Sequence, residues 1–188
     1  MTQLAATQAA SAALLLCAAL AGPAQATTQA VSFNVLNASA TLTTPLLAGD
    51  NLRLDTLVTT QVGALLQTIN FTVGAGVTSL VGEAAWEIST ATGTGPRLIG
   101  VNIDIFDASN ALVTSDSFAG TLASFALSTF AASILPGSYH LVATGTGVRD
   151  SSLDVTLSFI GSAVPEPGTY GLLLAGLGVV GLLARRHA

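Results

Sequence analysis

The seven residues LDVTLSF, Leu153–Phe159, carry the pattern that decides the fold. Every second residue is apolar, and the residues between them are Asp, Thr and Ser. Successive side chains of a β-strand point to opposite faces, so this period of two predicts a strand with one face in a core and the other in water. VNIDIF, Val101–Phe106, repeats the pattern, with Val101, Ile103 and Ile105 on one face. Both segments are typical of half-buried antiparallel strands.

Short alternating runs of this kind recur from Thr27 to Ala163, and they are separated by turns rich in Gly, Asn, Asp and Ser. These residue types tolerate the backbone dihedrals of tight turns. Thr121–Ile134 fits either a strand or a short helix. Eight or nine short strands in this length predict an all-β fold, a two-sheet antiparallel sandwich. The candidate strands are Val31–Leu36, Leu52–Thr60, Leu65–Val73, Ala84–Ser89, Leu98–Phe106, Ala111–Phe118, Tyr139–Thr144 and Leu153–Ile160.

The core of this sandwich has to form without crosslinks. The only cysteine, Cys17, lies in an apolar run near the N-terminus, so no disulfide can form within the body. A domain of this size can bury an adequate core from apolar side chains alone. We expect its largest core side chains to be Phe71, Trp86, Phe106 and Phe159.

The charge of the chain excludes two classes of partner. Only 8% of the 188 residues are charged, and there is no lysine. The body from Thr27 to Ala163 holds nine acidic residues and three arginines, a net charge of −6. Binding to nucleic acid or to anionic lipid needs a basic patch. We therefore predict that the body has no nucleic-acid partner.

The body offers few groups for catalysis. It has one histidine, His140, which alternates with Tyr139 and Leu141 and is expected on the solvent side of a strand. A zinc site would need three or four His, Cys or acidic ligands. We therefore predict that the protein is not an enzyme and that it binds no cofactor.

Three oxygen-bearing residues, Asp104, Asp107 and Asn110, recur at a spacing of three and suggest calcium, which prefers clustered oxygen ligands. The spacing lacks the order of a calcium-binding loop, because Asp104 belongs to a strand and Asp107 opens a turn. A hairpin turn without metal explains the same residues, and we favour that interpretation.

One seven-residue sequence occurs twice with six of seven residues unchanged, as ATGTGPR at Ala91–Arg97 and as ATGTGVR at Ala143–Arg149. One hypothesis is a pair of equivalent loops at one end of the sandwich that display Arg97 and Arg149. The alternative is convergence between Thr- and Gly-rich hairpin loops, and we favour it.

Residues 1–26 have the order of a secretory signal peptide. The ten apolar residues Ala12–Ala21 suit its hydrophobic helix and are too few to span a bilayer. Gly22-Pro23 then ends the helix, and Ala24 and Ala26 supply the small residues that signal peptidase requires. Met1–Ser11 contains no Lys or Arg, which leaves a plain N-terminal tail as the alternative. We expect cleavage after Ala26.

The C-terminal segment, residues 164–188, has three parts. Pro165, Glu166 and Pro167 form an extended stretch, because each proline restricts the residue before it. Tyr170–Ala184 is free of charge and would make a helix about 22 Å long, shorter than the roughly 30 Å hydrocarbon core. Arg185 and Arg186 then end the apolar run and are expected to stay in the cytoplasm, which places the body on the other side. This order predicts a short, transient transmembrane helix.

This three-part end resembles the PEP-CTERM sorting signal over about 24 residues. The resemblance implies an exopolysaccharide-producing Gram-negative bacterium and an exosortase, a membrane protease or transpeptidase, that recognises Pro165, Glu166 and Pro167. The chain is then a substrate, processed first by signal peptidase and later by the exosortase. The body, residues 27–163, more distantly resembles the FxDxF-type PEP-CTERM proteins in Phe71–Gly76 and Leu135–Gly147. The motif that names those proteins is not intact, because Gln67 and Ile69 stand where Phe and Asp would be.

These features together predict an exported protein that is held briefly at the inner membrane, with its body in the periplasm. It then reaches the outer envelope or the extracellular matrix. A structural or adhesive role linked to exopolysaccharide or biofilm is our expectation. The alternative is a carbohydrate-binding module for the cell's own polysaccharide. Exposure of Trp86 separates the two, because a buried Trp86 favours a scaffold and an exposed one favours sugar binding.

Overall fold

The computed structural model describes residues 26–59, 61–89, 95–162, 174, 176 and 177. Ala26–Ser162 forms one compact unit, and its described part contains eleven strands. The strands are β1 (Thr28–Phe33), β2 (Asn37–Thr41), β3 (Asn51–Val58), β4 (Gly63–Val73), β5 (Val77–Glu87), β6 (Leu98–Asp107), β7 (Leu112–Ser115), β8 (Ser117–Leu122), β9 (Phe125–Ser133), β10 (Gly137–Gly147) and β11 (Ser151–Gly161).

The strands form two sheets, as predicted for a sandwich. One sheet has six strands in the order β1-β3-β11-β5-β9-β8, and the other has five in the order β2-β4-β10-β6-β7. Most neighbours are antiparallel, but β1–β3 and β2–β4 pair in parallel, so the prediction of a purely antiparallel sandwich is wrong at these two edges. The chain reaches both edges because the short link between β1 and β2 passes from one sheet to the other.

The predicted number of strands is too low for two reasons. The candidate Val31–Leu36 ends early, at Phe33, and a further strand of small residues, Asn37–Thr41, follows it. The candidate Ala111–Phe118 is two strands, β7 and β8, that belong to different sheets. Between them, Asp116 exchanges hydrogen bonds with the main chain of Ile103, at 2.9 Å through its N–H and 2.8 Å through its carboxylate. This contact lets the chain leave one sheet for the other.

The ambiguous segment between Thr121 and Ile134 is a strand, β9, and not a helix. It forms a hairpin with β8 through a turn in which Ala123 has a φ of 52°. Side chains of β9 alternate between buried and more exposed positions. The alternation of buried and exposed side chains is thus present in this segment as well, which pairs with β8 as a strand.

The core lies between the two sheets, and three of the four predicted aromatic side chains are in it. Phe71, Trp86 and Phe159 are 3%, 6% and 1% exposed. Phe106 is not a core residue, because it lies half-buried on the outer face and stacks on His140 with ring centroids 5.2 Å apart. The alternation of β6 explains the error, since a core face made by Ile103 and Ile105 puts Phe106 on the opposite side.

The signal helix and the C-terminal transmembrane helix stay predictions. Almost all of their residues lie outside the described part of the chain. In the C-terminal tail, only residues 174, 176 and 177 are described, and their backbone is helical. Within that described part, no helix has the length and apolar character to span a membrane.

Candidate functional site

An open groove of about 950 Å³ crosses the outer face of the six-stranded sheet. All six strands contribute residues to it. One end is polar and the other end is apolar, next to the β8–β9 hairpin. The polar lining includes Asn51, Arg53, Glu83, Asp154 and Thr156, and the apolar lining includes Ala119, Leu122, Phe125 and Leu127.

At the polar end of the groove, one arginine lies between two carboxylates. Asp55 of β3 and Asp154 of β11 are direct neighbours in the register, and two like charges in such positions repel each other. The guanidinium of Arg53 lies 2.5 Å from a carboxylate oxygen of Asp154 and 3.9 Å from one of Asp55. Arg53 therefore offsets the repulsion and leaves a net negative surface at this end.

The apolar end of the groove exposes large side chains. Leu122 is 68% exposed and Phe125 is 40% exposed, and the two are opposite each other in the β8–β9 pairing. A groove with an exposed ring at one end and hydrogen-bonding groups at the other suits an extended ligand that has both apolar and polar parts. The sequence contained the two residues but gave no sign that they share a face with Arg53.

A second, smaller depression of about 320 Å³ lies on the five-stranded sheet beside His140. His140 is on the outer face, as predicted, directly opposite Asn70 in the β4–β10 pairing. It is half-buried because its ring stacks on Phe106. This stack gives His140 a packing role in the described part of the sheet.

The three candidate calcium ligands lie in two different places. Asp107, at the end of β6, and Asn110 belong to the turn that follows this strand, whereas Asp104 lies within β6. The Oδ1 atom of Asp107 accepts hydrogen bonds from the N–H and hydroxyl of Ser109 and from the N–H of Ala111. The pKa of Asp107 is lowered, first by the Ser109 hydroxyl and then by the Ala111 N–H. Asn110 adopts a φ of 62° in the same turn. In the ranges that the structure describes, no group of three or more His, Cys, Asp or Glu side chains is arranged to hold a metal.

Asp104 is hydrogen-bonded to side chains of β6 and β7. Its carboxylate accepts a 2.6 Å hydrogen bond from the Asn102 amide and a further one from the Ser115 hydroxyl. The carboxylates of Asp104 and Asp107 are thus each engaged by neighbouring donors.

The repeated seven-residue sequence does not form two equivalent loops. The second copy runs through strand β10 as far as Gly147, and residues 91–94 of the first copy lie outside the described residues. The two arginines do lie near each other, because the Ser151 hydroxyl donates to the carbonyl oxygens of Arg97 and Arg149 at 3.3 and 2.7 Å. The Arg97 guanidinium pairs with Glu87 at 3.2 Å. Arg97 is therefore a structural residue, which contradicts the hypothesis of two displayed arginines.

One buried carboxylate was not singled out by the sequence. Asp50, which is 5% exposed, accepts hydrogen bonds from the N–H of Thr27 at 2.7 Å, the hydroxyl of Thr27 at 2.8 Å and the N–H of Leu47 at 2.8 Å. Burial raises the pKa of Asp50, and the hydrogen bonds from Leu47 and Thr27 outweigh it, so that the pKa lies below its usual value. No local sequence pattern marks Asp50, because its main partner, Thr27, is 23 positions away along the chain.

The C-terminal end of the chain matches a family model. Residues 163–186 match the PEP-CTERM protein-sorting motif. The chain carries a PEP-CTERM sorting motif. This motif implies that the protein is exported and is processed by an exosortase at the membrane.

The residues that we predict to direct this processing lie mostly outside the described residues. They are Ala24, Pro165, Glu166, Pro167, Arg185 and Arg186. Ala26 is described, and it is exposed directly before Thr27. The individual roles of all seven stay predictions.

The comparisons with other proteins add no function. No curated protein matches the sequence of this chain at a significant level. Similar solved structures include the pre-peptidase C-terminal domain of a Bacillus anthracis collagenase, which is 9% identical with a TM-score of 0.36 and covers 73% of this chain and 100% of that one. The module CsCBM6-3 of Clostridium stercorarium, solved with cellobiose, is 15% identical with a TM-score of 0.30 and covers 56% and 72%. Similarities at these TM-scores carry no argument about this chain.

Proposed function

We propose that this PEP-CTERM protein is a structural or adhesive component of the cell envelope or extracellular matrix, linked to exopolysaccharide or biofilm, and that it is not an enzyme. The burial of Trp86 carries this proposal. Trp86 is 6% exposed and lies between Leu153 of β11 and Ala126 of β9 in the six-stranded sheet. The largest aromatic side chain is thus part of the scaffold and is not available to stack on a sugar.

The proposed route has two processing steps. Signal peptidase removes residues 1–26, and the C-terminal helix then holds the body on the periplasmic side of the inner membrane. The exosortase recognises Pro165, Glu166 and Pro167, cuts nearby and releases the body toward the outer envelope or matrix. The family match at residues 163–186 supports the exosortase step.

Cell fractionation of the native host tests the proposed role. We expect the protein in the matrix or outer-envelope fraction of wild-type cells, and we expect a weaker biofilm when its gene is deleted. Glu166→Ala should keep the protein in the inner membrane and reproduce the deletion. If a deletion strain forms biofilm of normal mass and strength, the structural role is wrong.

Carbohydrate binding is the second candidate function, and the groove on the six-stranded sheet favours it. Phe125 offers a partly exposed ring, and Arg53, Glu83 and Asp154 offer hydrogen-bonding groups in the same groove. Two acids and one arginine in this lining favour a neutral glycan over an anionic one. The most suitable ligand is therefore a neutral stretch of the host's own polysaccharide.

A matched pair of substitutions tests the groove. Phe125→Ala removes the ring from the groove, whereas Phe118→Ala removes a ring that is 64% exposed outside the groove lining. In titrations of the host's purified polysaccharide, Phe125→Ala should weaken binding roughly tenfold, which corresponds to about 1.4 kcal/mol. Phe118→Ala should bind like the wild type. No binding by the wild type, or equal losses in both variants, would exclude the groove as the sugar site.

A further inference from the structure

The buried carboxylate of Asp50 lies against the residue that a signal-peptide cut would make the first of the mature chain. The main-chain nitrogen of Thr27 is 2.7 Å from Oδ1 of Asp50, and its hydroxyl is 2.8 Å from the same atom. The other carboxylate oxygen, Oδ2, accepts the Leu47 N–H at 2.8 Å. The contact thus joins a buried acid to the backbone atom that processing would change.

We propose that cleavage after Ala26 makes Asp50 the binding site for the protein's own N-terminal ammonium group, on Thr27. The inference rests on the proposed export of the chain. Hydrolysis of the Ala26–Thr27 peptide bond consumes one water molecule. Ala26 keeps the new carboxylate, and the Thr27 nitrogen takes up the protons and becomes an ammonium group at neutral pH. A neutral N–H donor is thereby replaced by a cation at the same place.

The surroundings of Asp50 suit a cation. A buried carboxylate is costly unless it is paired or hydrogen-bonded, and Asp50 is 5% exposed. Before cleavage its donors are two N–H groups and one hydroxyl, all of them neutral. The hydrogen bonds to Asp50 already involve one charged partner, and an ammonium donor adds the direct attraction between two opposite charges. Ala26, on the other side of the expected cut, is exposed.

The ion pair would tie the new N-terminus to the centre of the six-stranded sheet. The Thr27 carbonyl accepts the Asn51 N–H at 2.8 Å, directly before β1 begins to pair with β3. The main-chain oxygen of Asp50 accepts the Phe159 N–H at 3.0 Å, and Phe159 belongs to β11. Cleavage would therefore strengthen the attachment of the edge strand β1 to its neighbour β3 and, through the main chain of Asp50, to β11.

The charged groups near this contact are few among the described residues. Arg53 and Asp55 of β3 face Ala30 and Ser32 of β1, three and five residues beyond Thr27. The turn that precedes Asp50 contributes the Leu47 N–H, and β11 contributes the main chain of Phe159. Among the ionisable side chains named here, Asp50 is the one that is hydrogen-bonded to Thr27.

An inserted residue tests the proposal in the full chain, expressed with its own signal peptide and purified as the mature protein from the native host. One alanine placed between Ala26 and Thr27 keeps the Ala24–Ala26 cleavage signal but leaves Thr27 with a neutral amide. At pH 7 the natural form should melt several degrees higher than the extended form. Asp50→Asn should lower the melting temperature more in the natural form than in the extended form, because only the natural form loses an ion pair.

The pH dependence separates this ion pair from a general effect of the insertion. Pairing with Asp50 should raise the pKa of the Thr27 amine above its unfolded value of about 8. The added stability is then complete below pH 8 and disappears as the pH rises through the higher pKa of the folded state. The gap in melting temperature should close in that alkaline range.

Three results would overturn the proposal. The first is a mature N-terminus other than Thr27 in mass spectra of the native protein. The second is equal melting of the natural and extended forms at pH 7, and the third is a gap that persists unchanged at alkaline pH. If Asp50→Asn fails to fold, the insertion alone still decides the outcome. A protein that begins at Thr27 and shows the gap but keeps its C-terminus would disprove exosortase processing and leave this inference intact.

Discussion

The hydroxyl of Thr56 donates a 2.7 Å hydrogen bond to Oε1 of Gln67 across the space between the two sheets. Both side chains are buried, with 1% and 0% exposure. The Gln67 amide in turn donates to the Val35 carbonyl at 2.9 Å, in the link between β1 and β2. One buried amide therefore joins both sheets to the segment where the chain passes between them.

Gln67→Ala should lower the free energy of unfolding by about 3 kcal/mol, because it leaves the buried Thr56 hydroxyl and the half-buried Val35 carbonyl without a hydrogen-bonding partner. Urea unfolding of the mature protein measures the change. Thr72→Ala on the exposed side of the same strand is the control and should cost no more than about 0.5 kcal/mol. Equal costs for the two variants would show that the buried bridge contributes nothing.

Gly82→Ala should destabilise the centre of the six-stranded sheet. Gly82 faces Leu157 in the β5–β11 pairing, and an added Cβ would collide with the Thr156 carbonyl and approach Leu157 Cδ2 to 2.6 Å. We expect a loss of about 1–3 kcal/mol in the free energy of unfolding. The control is Gly137→Ala, whose Cβ would meet only the Tyr139 ring, at 3.7 Å or more. A stable Gly82→Ala protein would show that β5 and β11 are not so closely packed.

The period of two predicted the sandwich and the faces of its main strands. It succeeded for Leu153–Phe159 and Val101–Phe106 because a strand with one buried face has to alternate. It missed β2, Asn37–Thr41, because the small residues of this edge strand show little contrast between faces. It also missed the change of sheet at Asp116, which depends on a hydrogen-bonding partner in another strand.

The groove and the Asp50 contact lay beyond reach of the sequence for a related reason. Arg53 and Asp154 are separated by 101 positions, and Thr27 and Asp50 by 23. Which residues become neighbours depends on strand order and register, and neither can be read from the local periodicity of one sequence. The sorting motif is different, because its information is local and continuous.

Acid should weaken the protein in part through Asp50. Its pKa is below the usual value in the folded state, so this contribution to stability is present above the unfolded pKa of about 3.9 and is lost as the pH falls through the folded pKa. Asp50→Asn should therefore be less stable than the wild type at pH 7, with a difference that shrinks toward pH 2. Thermal melts across this range measure it, and parallel curves would contradict the assignment.

Calcium should not stabilise the purified protein. The carboxylates of Asp104 and Asp107 are engaged by Asn102, Ser115, Ser109 and Ala111, so that binding would have to break these hydrogen bonds. A ligand that binds only the folded state raises the melting temperature by mass action. We expect no shift with millimolar calcium, and a rise of several degrees would show that these residues form a metal site after all.

Mass spectrometry of the C-terminus of the protein from exosortase-positive native cells tests the central claim, that the chain is sorted by its end, most directly. We expect the main species to lack Tyr170–Ala188, after a cut near Pro165–Gly168. Glu166→Ala should leave the chain uncut in the inner membrane, because the recognition site loses its one charged group. Full-length protein with an intact C-terminus as the main wild-type species would contradict the account and make the tail a plain membrane anchor.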